Sequence, residues 1–194
     1  CGAEYGILDN PYPFANAYTK YQYFHRDALY EGSELYDDTT FDVWLMSGLP
    51  LSGKDTWIQA HGEGRPVISL DDIRQEYKIA PGEKSAKVAA IATKRAREFL
   101  RRKEPFIWNA TNIIQDTRQK LCGLFSAYGA RVHIVYLEVP YKELLQRNDT
   151  RARQIPVPVL ERMIDKLEVP APWEGYEVCI WGEDAKRDKK ERTK

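Results

Sequence analysis

The chain of 194 residues holds only three cysteines, Cys1, Cys122 and Cys179, far apart in sequence. That excludes a disulfide framework and a cysteine zinc site, and reads as free thiols in a reducing, cytoplasmic compartment. No apolar run approaches the roughly 18 residues of a membrane helix, and no leader-like segment opens the chain; no membrane partner is expected. Net charge is also missing. Lys plus Arg is 29 and Asp plus Glu is 29, which excludes a generally basic nucleic-acid coat protein but leaves room for a local basic groove. The histidines, His25, His61 and His133, have no partner spacing, and His133 falls within a strand-like run. There is no internal repeat and no low-complexity segment before the tail. The first residue is Cys1 rather than Met, which suggests a piece of a longer protein.

What is present suits one packed α/β domain. Hydrophobic residues make up 43% and charged residues 30%, enough for a core and against global disorder. Residues 1–42 form an acidic, tyrosine-rich arm, expected to be mostly irregular and to pack aromatic side chains on the domain behind it. Residues 182–194 read as a solvated charged tail. Between them, apolar strands (43–47, 67–70, 105–108, 132–137, 177–180) alternate with helices (54–60, 71–77, 84–103, 116–128, 141–148, 156–166). Such alternation implies a parallel sheet covered on both faces, with ligands at the carboxyl ends of the strands.

The first strand runs into Ser47-Gly48-Leu-Pro-Leu51-Ser52-Gly53-Lys54-Asp55-Thr56. Gly48 to Lys54 fits G-x-x-x-x-G-K in its required strand-to-helix setting. Such a loop turns backbone N–H groups inward around phosphate oxygens, with a helix N-terminus behind them and a lysine for the β- and γ-phosphates. Leu51, Ser52, Gly53, Lys54, Asp55 and Thr56 are therefore candidate nucleotide-binding residues with Gly48. The usual hydroxyl after the lysine is Asp55 here, with Thr56 next. Either could serve Mg²⁺ or Mn²⁺, directly or through water.

The second strand ends in Asp71-Asp72-Ile-Arg74. Phosphoryl transfer needs position, charge neutralisation and a base for the attacking hydroxyl. Asp71 suits the base. Asp72 could cap the next helix, or both acids could be caps. Arg74 could hold an anionic substrate group. The third strand ends in Asn109, Thr111 and Asn112, which could bind substrate or close a turn. The helix over 84–103 carries eight basic residues against Glu98, a solvated face or the wall of a path for a polyanion. Arg147, Arg151 and Arg153 on a helix–loop–helix, about 147–156, look like a closing lid over transferring phosphate. Trp173 and Tyr176 could flank a nucleotide base or belong to the core.

G-L-P-x-S-G-K-D-T-W, S-L-D-D-x-R, W-N-A-T-N and R-N-x-x-R-x-R together resemble the P-loop kinase module of 5′-hydroxyl polynucleotide kinases, in particular the C-terminal half of bacterial end-healing enzymes whose N-terminal half is an HD-type phosphoesterase. The resemblance covers roughly residues 11–181. It implies an adenylate-kinase-like core of five parallel strands, with Asp71 as general base, Arg74 on a substrate phosphate and Arg147 and Arg151 in the lid. It also implies a covalently attached N-terminal HD-type phosphoesterase domain in the full-length protein; this chain, with no His-Asp metal cluster, does not contain it. Where relatives read D-A-T-N, this chain has Asn109, which leaves metal ordering to Asp55, Thr56 or Asp72.

The expected function is transfer of the γ-phosphate of ATP or another NTP to the 5′-OH end of RNA or DNA, with Mg²⁺. One rival is a small-molecule kinase acting on a nucleoside, sugar or antibiotic hydroxyl, for which Arg74 would have no adjacent phosphate to hold. Another is a catalytically silent nucleotide-binding module regulating an attached domain.

Overall fold

Five parallel strands build one sheet in the order β2-β3-β1-β4-β5. The computed structural model describes residues 14–25, 33–80, 82–151 and 154–182. Its elements in chain order are α1 (Ala17–Tyr23), β1 (Phe41–Ser47), α2 (Lys54–His61), β2 (Val67–Ser69), α3 (Leu70–Glu76), α4 (Ser85–Arg102), β3 (Phe106–Asn109), α5 (Gln115–Ser126), β4 (Ala130–Leu137), α6 (Tyr141–Asp149), α7 (Val157–Ile164) and β5 (Glu177–Trp181). Every strand and helix expected from sequence is present, to within two residues at each end. Among the described residues, no helix is long and apolar enough to cross a membrane.

The chain divides between Asp38 and Thr39 into two compact units. The smaller unit holds a helix where sequence suggested mostly irregular structure. Asn16 starts α1: its side-chain oxygen accepts from the Thr19 backbone N–H at 2.7 Å and from the Thr19 hydroxyl at 2.9 Å. The cap outweighs the weak periodicity of a seven-residue helix.

In the larger unit, both faces of the sheet are covered, which is why its strands read as near-continuous apolar runs. On one face, Val43 and Leu45 of β1, Phe106 and Trp108 of β3, and Val132 and Ile134 of β4 pack against Val88, Ala92, Ala96 and Leu100 of α4 and Cys122 and Phe125 of α5. On the other, Met46, Ile107, Val135 and Leu137 meet Trp57 and Ile58 of α2. A third cluster joins the strand-end residues Leu49 and Ile113 to Leu144 of α6 and Leu160 of α7. This cluster seats the helical pair α6–α7 against the loop that follows β1.

All five carboxyl ends lie along one edge, and a buried charge pair fixes that edge. Arg118 lies one helical turn before Cys122, on the core face of α5, and is 0% exposed; Glu174 is 1% exposed. The guanidinium binds both carboxylate oxygens of Glu174, at 2.7 and 3.0 Å, and donates to the Asn112 carbonyl at 3.1 Å. Glu174 also accepts from the Ala171 N–H at 2.8 Å. Removing one partner of such a pair strands a buried charge and typically costs about 3–5 kcal/mol. Glu174→Ala should lose stability of that order in urea unfolding, whereas Glu174→Gln, which keeps a hydrogen-bond acceptor for Arg118, should lose less. Equal, small losses would mean the pair does not hold the fold.

Candidate phosphate-binding and phosphoryl-transfer site

The loop between β1 and α2 has the backbone of a phosphate cradle. Gly48 sits at φ +140° and Gly53 at φ +97°, both unfavourable for a side chain. A Cβ on Gly48 would come within 2.6 Å of the Leu137 carbonyl oxygen. The Gly48 N–H donates to the Thr111 carbonyl at 2.8 Å, which ties the loop's first residue to the end of β3. Leu51 is held at φ +66°, a strained value for leucine, while Ser52 is buried.

Lys54 opens α2 and folds back over this loop. Its ammonium donates to the carbonyls of Leu49 at 2.7 Å and Gly48 at 3.1 Å. Burial pushes its pKa down to about 8, against the opposing pull of Asp55 and Asp71. Asp71 therefore acts electrostatically on Lys54 although β3 lies between their strands. The two motifs end strands that are consecutive in sequence, and the sheet order sets β3 between them.

Asp71 and Asp72 occupy the first turn of α3, both exposed. Neither is the cap. Ser69 is, its hydroxyl accepting from the Asp72 N–H at 3.1 Å. The two carboxylates are thus not needed to start the helix. Arg74 binds within the protein, donating to the carbonyls of Ala80 at 3.2 Å and Glu83 at 2.7 Å and to the Ser85 hydroxyl at 3.1 Å. It fastens the start of α4 to α3.

The trio after β3 splits. Asn109 faces the cradle, its amide donating to Asp55 at 2.8 Å. Thr111 supplies the carbonyl for Gly48. Asn112 is buried at φ +44°; its side chain donates to the Met46 carbonyl at 2.7 Å, and its own carbonyl accepts from Ser47 and Arg118. Asn112 therefore closes the turn and does not face substrate space. Tyr176 is likewise away from the phosphate edge, since its N–H pairs with Val132 near the start of β4. His133 lies on β4 between the carboxylates of Asp42, at 2.8 Å, and Glu177, at 2.9 Å.

Of the three arginines expected in a lid, Arg147 touches the cradle. It donates to the Leu51 carbonyl at 2.8 Å and pairs with Glu143. Arg151 is exposed just past α6; Arg153 lies outside the described residues. Sequence reasoning missed what shapes this connection. Asn148 is buried and clamps Ile155 through two bonds, donating to its carbonyl and accepting from its N–H, both at 2.8 Å. It also missed Arg118 and Glu174. The i, i+4, i+7 spacing of Arg118, Cys122 and Phe125 was the available signal for the first of these.

The oxygen donors at this edge are the Asp55 and Asp72 carboxylates and the Thr56 hydroxyl, all exposed. They suit a hard cation such as Mg²⁺, which keeps several waters and shares substrate phosphates. Among the described residues, no group of three or more His, Cys, Asp or Glu could form an all-protein cage.

A family model described as an AAA domain matches residues 43–170. The chain belongs to that family. Its fold is that of P-loop kinases, as comparison with solved structures bears out. It superposes on a candidate kinase from Chloroflexus aurantiacus J-10-fl with a TM-score of 0.59 at 19% identity, covering 80% of this chain and 97% of that one. A sugar kinase from Janibacter sp. HTCC2649 gives 0.58 at 14% identity, covering 79% and 94%. An L-seryl-tRNA(Sec) kinase of Methanococcus maripaludis is 24% identical over 133 residues, 65% of this chain; the match spans about half, 52%, of that relative's length.

The low pKa of Lys54 sets a test for this P-loop domain. Phosphate binds the protonated amine, and with a free-state value of about 8 rather than 10.5 the proton is lost early. ATP affinity, measured by calorimetry, should be level below pH 7 and weaken as pH rises through 8, by up to about tenfold per unit. Lys54→Met should bind weakly and without this dependence. Level wild-type affinity up to pH 10 would contradict the assignment.

Proposed function

We propose that this P-loop kinase domain moves the γ-phosphoryl group of an NTP onto an alcohol hydroxyl held beside Asp71. One observation carries the reading: the Lys54 ammonium lies on the cradle carbonyls while under the charge of Asp71, so cradle and acid serve one edge. The loop amides and Lys54 bind the phosphates. Asp71 takes the hydroxyl proton as the oxygen attacks the γ-phosphorus and the bond to the β-phosphate oxygen breaks, releasing NDP. Arg147, already on the loop, and Arg151 neutralise charge on the transferring group. A magnesium ion arriving with the NTP would be held by Asp55, Thr56 and Asp72, partly through water, and would supply further neutralisation of phosphate charge.

A small-molecule hydroxyl, on a nucleoside, sugar or antibiotic, is the first reading of the acceptor. A sugar kinase shares the fold over most of both chains. Arg74, the side chain expected to hold a substrate phosphate, is engaged by the α3–α4 connection. The 5′-OH end of RNA or DNA is the second reading, supported by the D-D-x-R and R-N-x-x-R-x-R motifs and by a relative whose name places its substrate on a tRNA.

A panel of labelled NTP with sugars, nucleosides and 5′-OH oligonucleotides, with and without a phosphate 3′ to the reacting nucleoside, tests both. Transfer should occur to at least one hydroxyl acceptor. Asp71→Asn should lower turnover about 10²–10⁴-fold, with NTP affinity unchanged below pH 7, where Lys54 stays protonated, and thermal stability unchanged, since Ser69 caps α3 without it. Full turnover in Asp71→Asn removes Asp71 as the base. No transfer to any acceptor leaves a nucleotide-binding module.

A further inference from the structure

The helix α4 presents a row of cations that the phosphate site does not use. Val88, Ala92, Ala96 and Leu100 face the core. Lys87, Lys94 and Arg101 recur every seven residues on the side directly opposite, with Arg97 beside them, and all four are exposed. Other cations on this helix have acids: Arg95 pairs with Glu76 at 2.6 Å and Arg102 with Glu104 at 3.5 Å. Lys87, Lys94, Arg97 and Arg101 have no acidic partner among the described residues. Glu98 is the only acid within α4. Eighteen residues span about 27 Å. The row starts at the phosphate edge, because Arg74 ties the start of α4 to the helix that carries Asp71. It runs from there toward the opposite edge of the sheet.

We infer that this outward face of α4 docks the phosphodiester backbone of a nucleic acid, leading one end toward Asp71. The occupant follows from charge and shape. An extended row of unpaired cations, on a chain without net charge, matches a ligand with negative charges repeated along a line. A free nucleotide or sugar phosphate would span only part of it. This inference rests on the second acceptor reading.

The test uses the whole chain and fluorescence anisotropy with a 20-nucleotide single-stranded RNA and its DNA counterpart, both already carrying a 5′-phosphate so that turnover plays no part. Neutralising about four phosphates predicts a slope of log affinity against log salt of about −3, or about a 50-fold loss between 50 and 200 mM salt. Lys87→Glu/Lys94→Glu/Arg101→Glu should bind at least about tenfold more weakly at 100 mM salt, with a slope near −1 and an unchanged melting curve. Glu98→Lys should bind more tightly than wild type. Equal affinity in wild type and the triple variant overturns the inference, as does charge-dependent binding to phosphatidylserine vesicles without binding to either oligonucleotide. Transfer to a sugar or nucleoside, followed in parallel, should be the same in wild type and the triple variant. Loss of nucleic-acid binding with that transfer retained refers to α4; binding with no transfer to any acceptor refers instead to the kinase reading.

Discussion

The geometry of the phosphate edge depends on a charge pair in the interior. Glu174 holds Arg118, Arg118 holds the Asn112 carbonyl, and the Asn112 side chain holds the Met46 carbonyl at the end of β1. Ser47 adds a second tie to Asn112 at 3.0 Å, and Thr111 next door accepts from Gly48. The loop that cradles phosphate thus leaves the sheet from a point fixed by hydrogen bonds on both β1 and the turn after β3. Burying two charges is costly unless geometry and extra bonds compensate. Here the fork is bidentate and the carboxylate takes a further N–H from Ala171, so the polar atoms at the pair's centre are answered.

The same loop carries its own electrostatic tension. Lys54 and Arg147 both rest on loop carbonyls, those of Gly48 and Leu49 for one and Leu51 for the other. Two cations are therefore positioned before any phosphate arrives. That is what a preorganised phosphate site requires, since little reorganisation remains to be done when charge develops. The lysine loses hydration to be there, and its lowered pKa records that loss. Packing of α6 and α7 on Leu49 and Ile113 holds Arg147 at the same edge.

Much of this was legible in the sequence. Apolar strands alternating with helices gave the parallel sheet, and glycine spacing gave the loop. Both signals are local, and the parallel sheet adds only their order. The failures were non-local or side-chain specific. Whether Asp71, Asp72 or Ser69 caps α3 depends on which residue first takes helical angles, and the strand reading had included Leu70. Arg74 read as a substrate-binding side chain because two of its partners, Ala80 and Glu83, sit in the connection before α4, which has no periodicity, and the third, Ser85, only starts that helix. Asn112 read as an even choice between substrate and turn, and its left-handed backbone decides for the turn. Glu174 gave no sign, as its partner lies 56 residues away. The helix α1 was hidden because a short capped helix leaves almost no periodic trace.

The claim on which the account turns is that residues 49–56 receive the NTP phosphates. Amide-resolved hydrogen exchange, with and without a non-hydrolysable ATP analogue and Mg²⁺, tests it most directly. The account predicts new protection at Leu51 and across Gly53 to Thr56, and no change at the Gly48 and Ser52 amides, which the Thr111 and Leu49 carbonyls already hold. Unchanged exchange at Leu51 and across Gly53 to Thr56 at saturating analogue, or protection appearing only elsewhere in the chain, would contradict it.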